Sequence, residues 1–190
     1  MEVVKPADKG SNNKKPIKEK PIVVICGIKN SGKTTLMTKV IQNLSNRGYK
    51  VATIKHDGHD FEPDVPGTDS YIHRKAGAYG CAVFSKHRFL ITKQVSDRKQ
   101  EELEEHLIEA FPEADVILIE GLKNSSYKKI EVVRSINGNQ PASNPEGRFL
   151  IVTDKPLDYK LQCSGQEEIL FVEEIDKIVD KLLFVIGKGE

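Results

Sequence analysis

A run of β-branched and aliphatic residues, Ile22 to Cys26, passes directly into Gly27-Ile28-Lys29-Asn30-Ser31-Gly32-Lys33-Thr34-Thr35. A short continuous apolar run ending in glycine reads as a strand buried on both faces, the pattern of a parallel sheet covered on both sides. Beyond the loop, Leu36, Val40, Ile41 and Leu44 recur at helical spacing, and Gly48 follows where a helix end places glycine. The stretch between them satisfies G-x-x-x-x-G-K-[ST], and a strand before it and a helix after it are the context in which that motif is a phosphate-binding loop, or P-loop. Val51 to Ile54 then supplies a second strand, making a βαβ unit whose crossover is right-handed in nearly all known cases.

The chemistry of the loop follows from its residue types. Gly27 and Gly32 let the backbone turn tightly and present N–H groups to phosphate oxygens, and the helix beginning near Gly32 adds its positive dipole end. Lys33 is expected to reach the β and γ phosphates and the Thr34 hydroxyl to ligand Mg²⁺, with Asn30, Ser31 and Thr35 as further loop contacts. Such a site also needs a carboxylate at the C-terminal end of a neighbouring strand. Asp115 to Gly121 offers one: Glu120 is expected at the strand tip facing the loop, and Gly121 is expected to bring its backbone N–H near the γ-phosphate. The segment Lys55 to Phe61 follows the second strand at the same sheet edge and has two readings. In one, His56 contacts phosphate or orients water while Asp57 helps hold Mg²⁺; in the other, the H-x-x-H spacing of His56 and His59 with adjacent aspartates binds a transition metal. On the first reading Lys33, Asp57 and Glu120 form the catalytic set, and Thr34, Asp57 and Glu120 hold the metal. Asp154, just past a late strand, either accepts from a guanine base or begins the turn before Pro156; the full N-K-x-D pattern is absent.

The remainder is consistent with an α/β P-loop NTPase fold. Asp69 to Ala76, the acidic stretch Gln100 to Phe111 and Glu173 to Ile186 read as helices; Cys81 to Phe84, Arg88 to Thr92, Val116 to Ile119, Ile130 to Val133 and Phe149 to Val152 read as strands. Together they predict a mostly parallel, twisted sheet of about six or seven strands flanked by helices. Residues 1–20, rich in Lys, Asn, Gly and Pro, read as a flexible basic tail, and residues 21–190 as one nucleotide-binding domain. The net charge of +1 leaves no global basic field of the kind that marks a nucleic-acid binder. The apolar runs fall well short of the roughly 20 residues that span a bilayer, and no secretory signal is evident, so a cytoplasmic location is expected. Cys26, Cys81 and Cys163 are odd in number and lack C-x-x-C spacing, so they read as reduced thiols.

GIKNSGKTTL, TIKHDGHDFEPDVPGTDSYIHRKAGA and ADVILIEGLK together resemble the molybdopterin-guanine dinucleotide biosynthesis protein B family, P-loop GTP-binding proteins of molybdenum cofactor maturation. The resemblance covers most of residues 22–123. The middle stretch, with Lys55-His56, His59, Asp64, Asp69-Ser70 and Ala76-Gly77-Ala78, is more specific than the loop alone. It implies a homodimer that binds GTP and Mg²⁺, hydrolyses GTP weakly, and assists the guanylyltransferase that attaches GMP to molybdopterin, with molybdopterin itself a further candidate ligand. By the same resemblance Gly27, Gly32, Lys33, Thr34 and Thr35 bind phosphate and magnesium, and His56, Asp57 and Glu120 line the γ-phosphate side. Thr68 stands where the family pattern usually has lysine, and Ile72 where it has arginine. Two other functions remain open from the residues: a small-molecule kinase in which Asp57 positions an acceptor hydroxyl, and a metal-insertion GTPase using His56 to Asp60.

Overall fold

The computed structural model describes residues 21–95, 99–137, 140–156 and 167–189. The expected tail and Cys163 lie outside the described residues. The described residues divide into two compact units, one drawn from 21–56 and 105–189 and the other from 57–104. The segment between the second strand and the third helix forms a helix and a hairpin of its own.

The first unit is built on six strands: β1 (Ile22–Cys26), β2 (Val51–Lys55), β5 (Val116–Glu120), β6 (Lys128–Val133), β7 (Arg148–Thr153) and β8 (Glu168–Phe171). Their order is β2-β5-β1-β6-β7-β8, and every neighbouring pair is parallel. β1 is central, as its complete burial predicts, and its C-terminal end opens the loop between β5 and β6. One face of the sheet is covered by α1 (Lys33–Asn46) and α4 (Ile175–Val185). Leu36, Val40 and Leu44 of α1 and Ile178, Val179 and Leu182 of α4 pack there with Val23, Ile25, Leu118, Ile130, Val132 and Leu150. Burying one such side chain completely contributes about 1.5–3 kcal/mol, so this layer dominates stability. On the opposite face Ile108 of α3 (Gln100–Glu109) packs with Ile22, Val24, Cys26, Ala52, Ile117 and Ile119.

The second unit holds α2 (Asp69–Lys75) and the antiparallel hairpin of β3 (Gly80–Phe84) and β4 (Phe89–Lys93). Thr68 caps α2, its hydroxyl accepting from the Tyr71 amide at 3.4 Å and donating to the Val65 carbonyl at 2.9 Å. The helix-capping hydroxyl accounts for threonine at a position where the resemblance leads one to expect lysine. The hairpin departs from the expected single sheet: among the described residues β3 and β4 pair only with each other. Their place in the main sheet is taken at its far edge by β8, which the sequence reading missed.

Candidate functional site

The loop after β1 is shaped by backbone conformations that side chains resist. Gly27 has φ +140°, and a Cβ there would lie 2.5 Å from the Val132 carbonyl oxygen and 2.8 Å from Ser31 Oγ. Asn30 takes φ +62°, which asparagine tolerates better than most residues, and Gly32 caps α1 at φ +91°. Ser31 is fully buried beneath the loop. The first amides of α1 then point outward with no partner in the helix, the arrangement that receives phosphate oxygens.

Three of the side chains expected at the site meet around this turn. The Lys33 ammonium donates to the Ile28 carbonyl at 2.7 Å, folding back over the loop it belongs to. The Thr34 hydroxyl, in the first turn of α1, lies 3.2 Å from Glu120 Oε1 and 3.3 Å from Oε2. Glu120 reaches this point because β5 runs between β2 and β1, where it is in register with Lys55 on one side and Ile25 on the other. A hydroxyl and a carboxylate at this spacing are hard oxygen donors suited to Mg²⁺.

The edge next to Glu120 is tightly built. The His56 amide donates to the Glu120 carbonyl at 2.9 Å, extending the ladder past β2. Gly121 has φ +115°, and a Cβ on it would sit 3.0 Å from the His56 carbonyl oxygen and 3.2 Å from the His56 Cβ. Glycine is therefore required by its neighbour and its backbone. Its amide, however, donates to the Ile25 carbonyl at 3.1 Å. The expectation that this N–H faces the γ-phosphate is thus corrected: the parallel ladder with β1 uses it. Asp57 is the first residue of the second unit, one position beyond His56.

Asp154 is engaged elsewhere than the loop. Its Oδ1 accepts from the Ser135 amide at 2.9 Å, its Oδ2 from the Ser135 hydroxyl at 3.2 Å, and Arg134 Nε stands 3.5 Å from Oδ2. The Ser135 amide first, with the Ser135 hydroxyl and Arg134, holds this carboxyl below the usual aspartate range. Of the two roles open from the sequence, the observed contacts are those of a turn-organising side chain.

Behind the loop lies a buried charged network that sequence reasoning missed. The Glu131 and Arg148 side chains are each 1% exposed and pair at 2.9 Å. Glu131 also accepts from the Ala142 amide at 2.5 Å and the Ser143 amide at 3.0 Å, while Arg148 Nε donates to Glu167 at 2.9 Å. Lys129, fully buried, donates to the Ser125 carbonyl at 2.6 Å and to Asn144. Cys26 is the register partner of Glu131, and burial first, with that carboxylate second, pushes its thiol up to about 12. The signal available was alternation: Lys129, Glu131 and Val133 share one face of β6, with Ile130 and Val132 on the other. Among the described residues no group of three or more His, Cys, Asp or Glu side chains converges as a metal-ion cluster.

Residues 22–154 match the family described as molybdopterin guanine dinucleotide synthesis protein B. A molybdopterin-guanine dinucleotide biosynthesis adapter protein of Escherichia coli (strain K12) is 35% identical over 163 residues, covering 84% of this chain and 90% of that protein. A probable adapter protein of the same description from Bacillus subtilis (strain 168) is 35% identical over 117 residues, 60% of this chain and 65% of that one. The crystal structure of Bacillus subtilis MobB superimposes with a TM-score of 0.65 at 25% identity, covering 90% of this chain and 98% of that chain. A MobB protein homolog from Bacillus stearothermophilus shares the fold, with a TM-score of 0.62 at 20% identity over 88% of this chain and 98% of that chain. The resemblance carried by the loop, the His56 segment and the Glu120 strand is thus matched over most of the chain, which belongs to the molybdopterin guanine dinucleotide synthesis protein B family.

Proposed function

We propose that the protein is a cytoplasmic, GTP-binding adapter of molybdopterin guanine dinucleotide biosynthesis with slow, Mg²⁺-dependent GTPase activity, acting as a homodimer beside the guanylyltransferase that attaches GMP to molybdopterin. The observation that carries the nucleotide reading is the Thr34–Glu120 contact, 3.2 Å across the tips of α1 and β5 and directly beside Lys33. Mg²⁺ at this pair would neutralise charge on the β and γ phosphates. Lys33 leaves its own loop carbonyl to meet the same oxygens, and the α1 amides receive the phosphates from below. With the Gly121 amide committed to β1, the γ-phosphate side is served by side chains: Lys33, His56 and, through water, Glu120. The biosynthetic role follows from relatives called molybdopterin-guanine dinucleotide biosynthesis adapter proteins. No helix among the described residues is long and apolar enough to cross a membrane.

The homodimer reading is supported by the hairpin. Two strands alone are marginal in water, and here both faces are apolar and open: Val83 and Leu90 are 48% and 49% exposed on one, Phe84, Phe89 and Ile91 are 83%, 77% and 65% exposed on the other. A second copy of the chain is the occupant proposed for these faces.

The test is competition of GTP against ATP for the full-length protein, with Mg²⁺ and with EDTA, repeated on Glu120→Gln. The expected result is a GTP preference that Mg²⁺ strengthens in the wild type and barely alters in the variant. An ATP preference would favour a small-molecule kinase, and a variant with unchanged Mg²⁺ dependence would reduce Glu120 to a strand end.

A further inference from the structure

A cavity of about 260 Å³ opens beside the phosphate loop, between the start of α1 and the ends of β6 and β8. Gly32 carries it on from the loop; Leu36, Val132 and Val172 form its apolar wall; Lys39, Arg134 and Glu173 supply its charge, Glu173 being its one carboxylate. This composition, apolar surface with a few convergent polar groups, is that of a small-molecule subsite. Its position is fixed by the loop, because a triphosphate held at Gly32 and Thr34 must send its nucleoside to one side of α1.

Of these three charged groups, Arg134 and Glu173 differ in how they are held. Arg134 is fixed by Asp154, which is itself tied to Ser135 through both carboxylate oxygens. Among the described residues Glu173 makes no hydrogen bond or ion pair, although it lines the cavity. A guanine base offers two adjacent donors, N1–H and the exocyclic amine, and two adjacent acceptors, O6 and N7. A carboxylate matches the first pair and a guanidinium the second. Adenine presents no such pair of donors.

Resting on the proposed nucleotide binding, we infer that this cavity takes a guanine nucleoside, with Glu173 accepting from N1–H and the amine, and Arg134 donating to O6 and N7. Asp154 acts through Arg134 as a positioning residue. Base selection therefore belongs to the turn after β8, not to the aspartate after β7.

Xanthosine triphosphate separates these assignments, because its base carries a carbonyl where guanine has the amine. The full-length wild type, Glu173→Gln and Asp154→Asn are titrated calorimetrically with Mg²⁺ and either GTP or xanthosine triphosphate. In Glu173→Gln the GTP affinity is expected to fall on the order of tenfold while xanthosine triphosphate gains, since the amide now donates to the new carbonyl. Asp154→Asn is expected to keep a GTP-to-xanthosine ratio close to the wild type while its melting temperature falls. A wild-type ratio in Glu173→Gln, or a specificity change confined to Asp154→Asn, overturns the assignment while leaving nucleotide binding in place. Failure of the wild type to bind either triphosphate would instead overturn the proposed function, and this inference with it.

Discussion

Gly27→Ala tests whether the loop is a built cradle or merely a flexible turn. Alanine at φ +140° occupies a sparsely populated backbone region, which costs about 1–3 kcal/mol. The new methyl would also lie 2.5 Å from the Val132 carbonyl oxygen and 2.8 Å from Ser31 Oγ. Ser31 can rotate only within a fully buried site, and Val132 belongs to a strand paired on both sides, so neither neighbour yields freely. Overpacking of this kind adds about 1–3 kcal/mol. The sum, about 2–6 kcal/mol, is a large part of a typical total of about 5–15 kcal/mol. With a urea m-value near 2 kcal/mol/M, the midpoint should fall by about 1–3 M. The assay is urea unfolding followed by far-UV circular dichroism, with Gly58→Ala as comparator, because a Cβ at Gly58 meets nothing within 4 Å and its φ is not positive. Gly58→Ala should stay within about 0.5 kcal/mol of wild type. A midpoint shift of less than about 0.3 M in Gly27→Ala would refute both the strain and the contact argument.

Two further outcomes follow from the buried and half-buried charges. Arg148→Met leaves the Glu131 carboxylate buried without its cation and should cost about 3–5 kcal/mol in the same urea assay, a loss under about 1 kcal/mol contradicting the network's role. Asp154 has its folded-state pKa lowered, so its contribution is present above the unfolded value, about 3.9, and is lost as pH falls through the lower folded value. Thermal melts should therefore show a steeper decline below about pH 4 in wild type than in Asp154→Asn, and identical acid limbs would show that the Ser135 and Arg134 contacts do not persist in solution.

How much of this was legible depends on whether a residue's role is local. Gly27, Gly32, Lys33 and Thr34 act through a turn only a few residues long, so their spacing is enough to place them. Glu120 required one further step, that a buried strand ends at the ligand edge of a parallel sheet, and its register with Ile25 agrees. The hairpin was misplaced because apolar alternation in Gly80–Phe84 and Phe89–Lys93 reports strand character without reporting the partner. β8 was missed because Glu168–Phe171 offers only Ile169 and Leu170 as a core signal and gains the rest from pairing with β7. Asp154 could not be resolved from sequence, since the residue that claims its carboxylate, Ser135, lies on the turn after β6.

The charges beneath the loop are a consequence of topology. β5 and β6 are parallel strands that flank β1, yet only residues 121–127 connect them, too few for the helical crossover of a dozen or more residues that usually covers such a step. Leu122, at φ +41°, turns the chain and buries itself against the sheet. The face of β6 and β7 on this side is consequently met by irregular chain, residues 121–127 and 140–147, whose buried backbone groups require partners. Lys129 supplies a donor to the Ser125 carbonyl, Glu131 accepts from the Ala142 and Ser143 amides, and Arg148 donates to the Ser143 carbonyl at 3.2 Å. Each buried charge thus answers a backbone group that a helix would have satisfied internally. The same network fixes β6 against β1 where Glu131 faces Cys26, one residue before Gly27 meets the Val132 carbonyl. A phosphate cradle depends on backbone amides held to a fraction of an ångström, and a floor tied on both sides is what keeps them there.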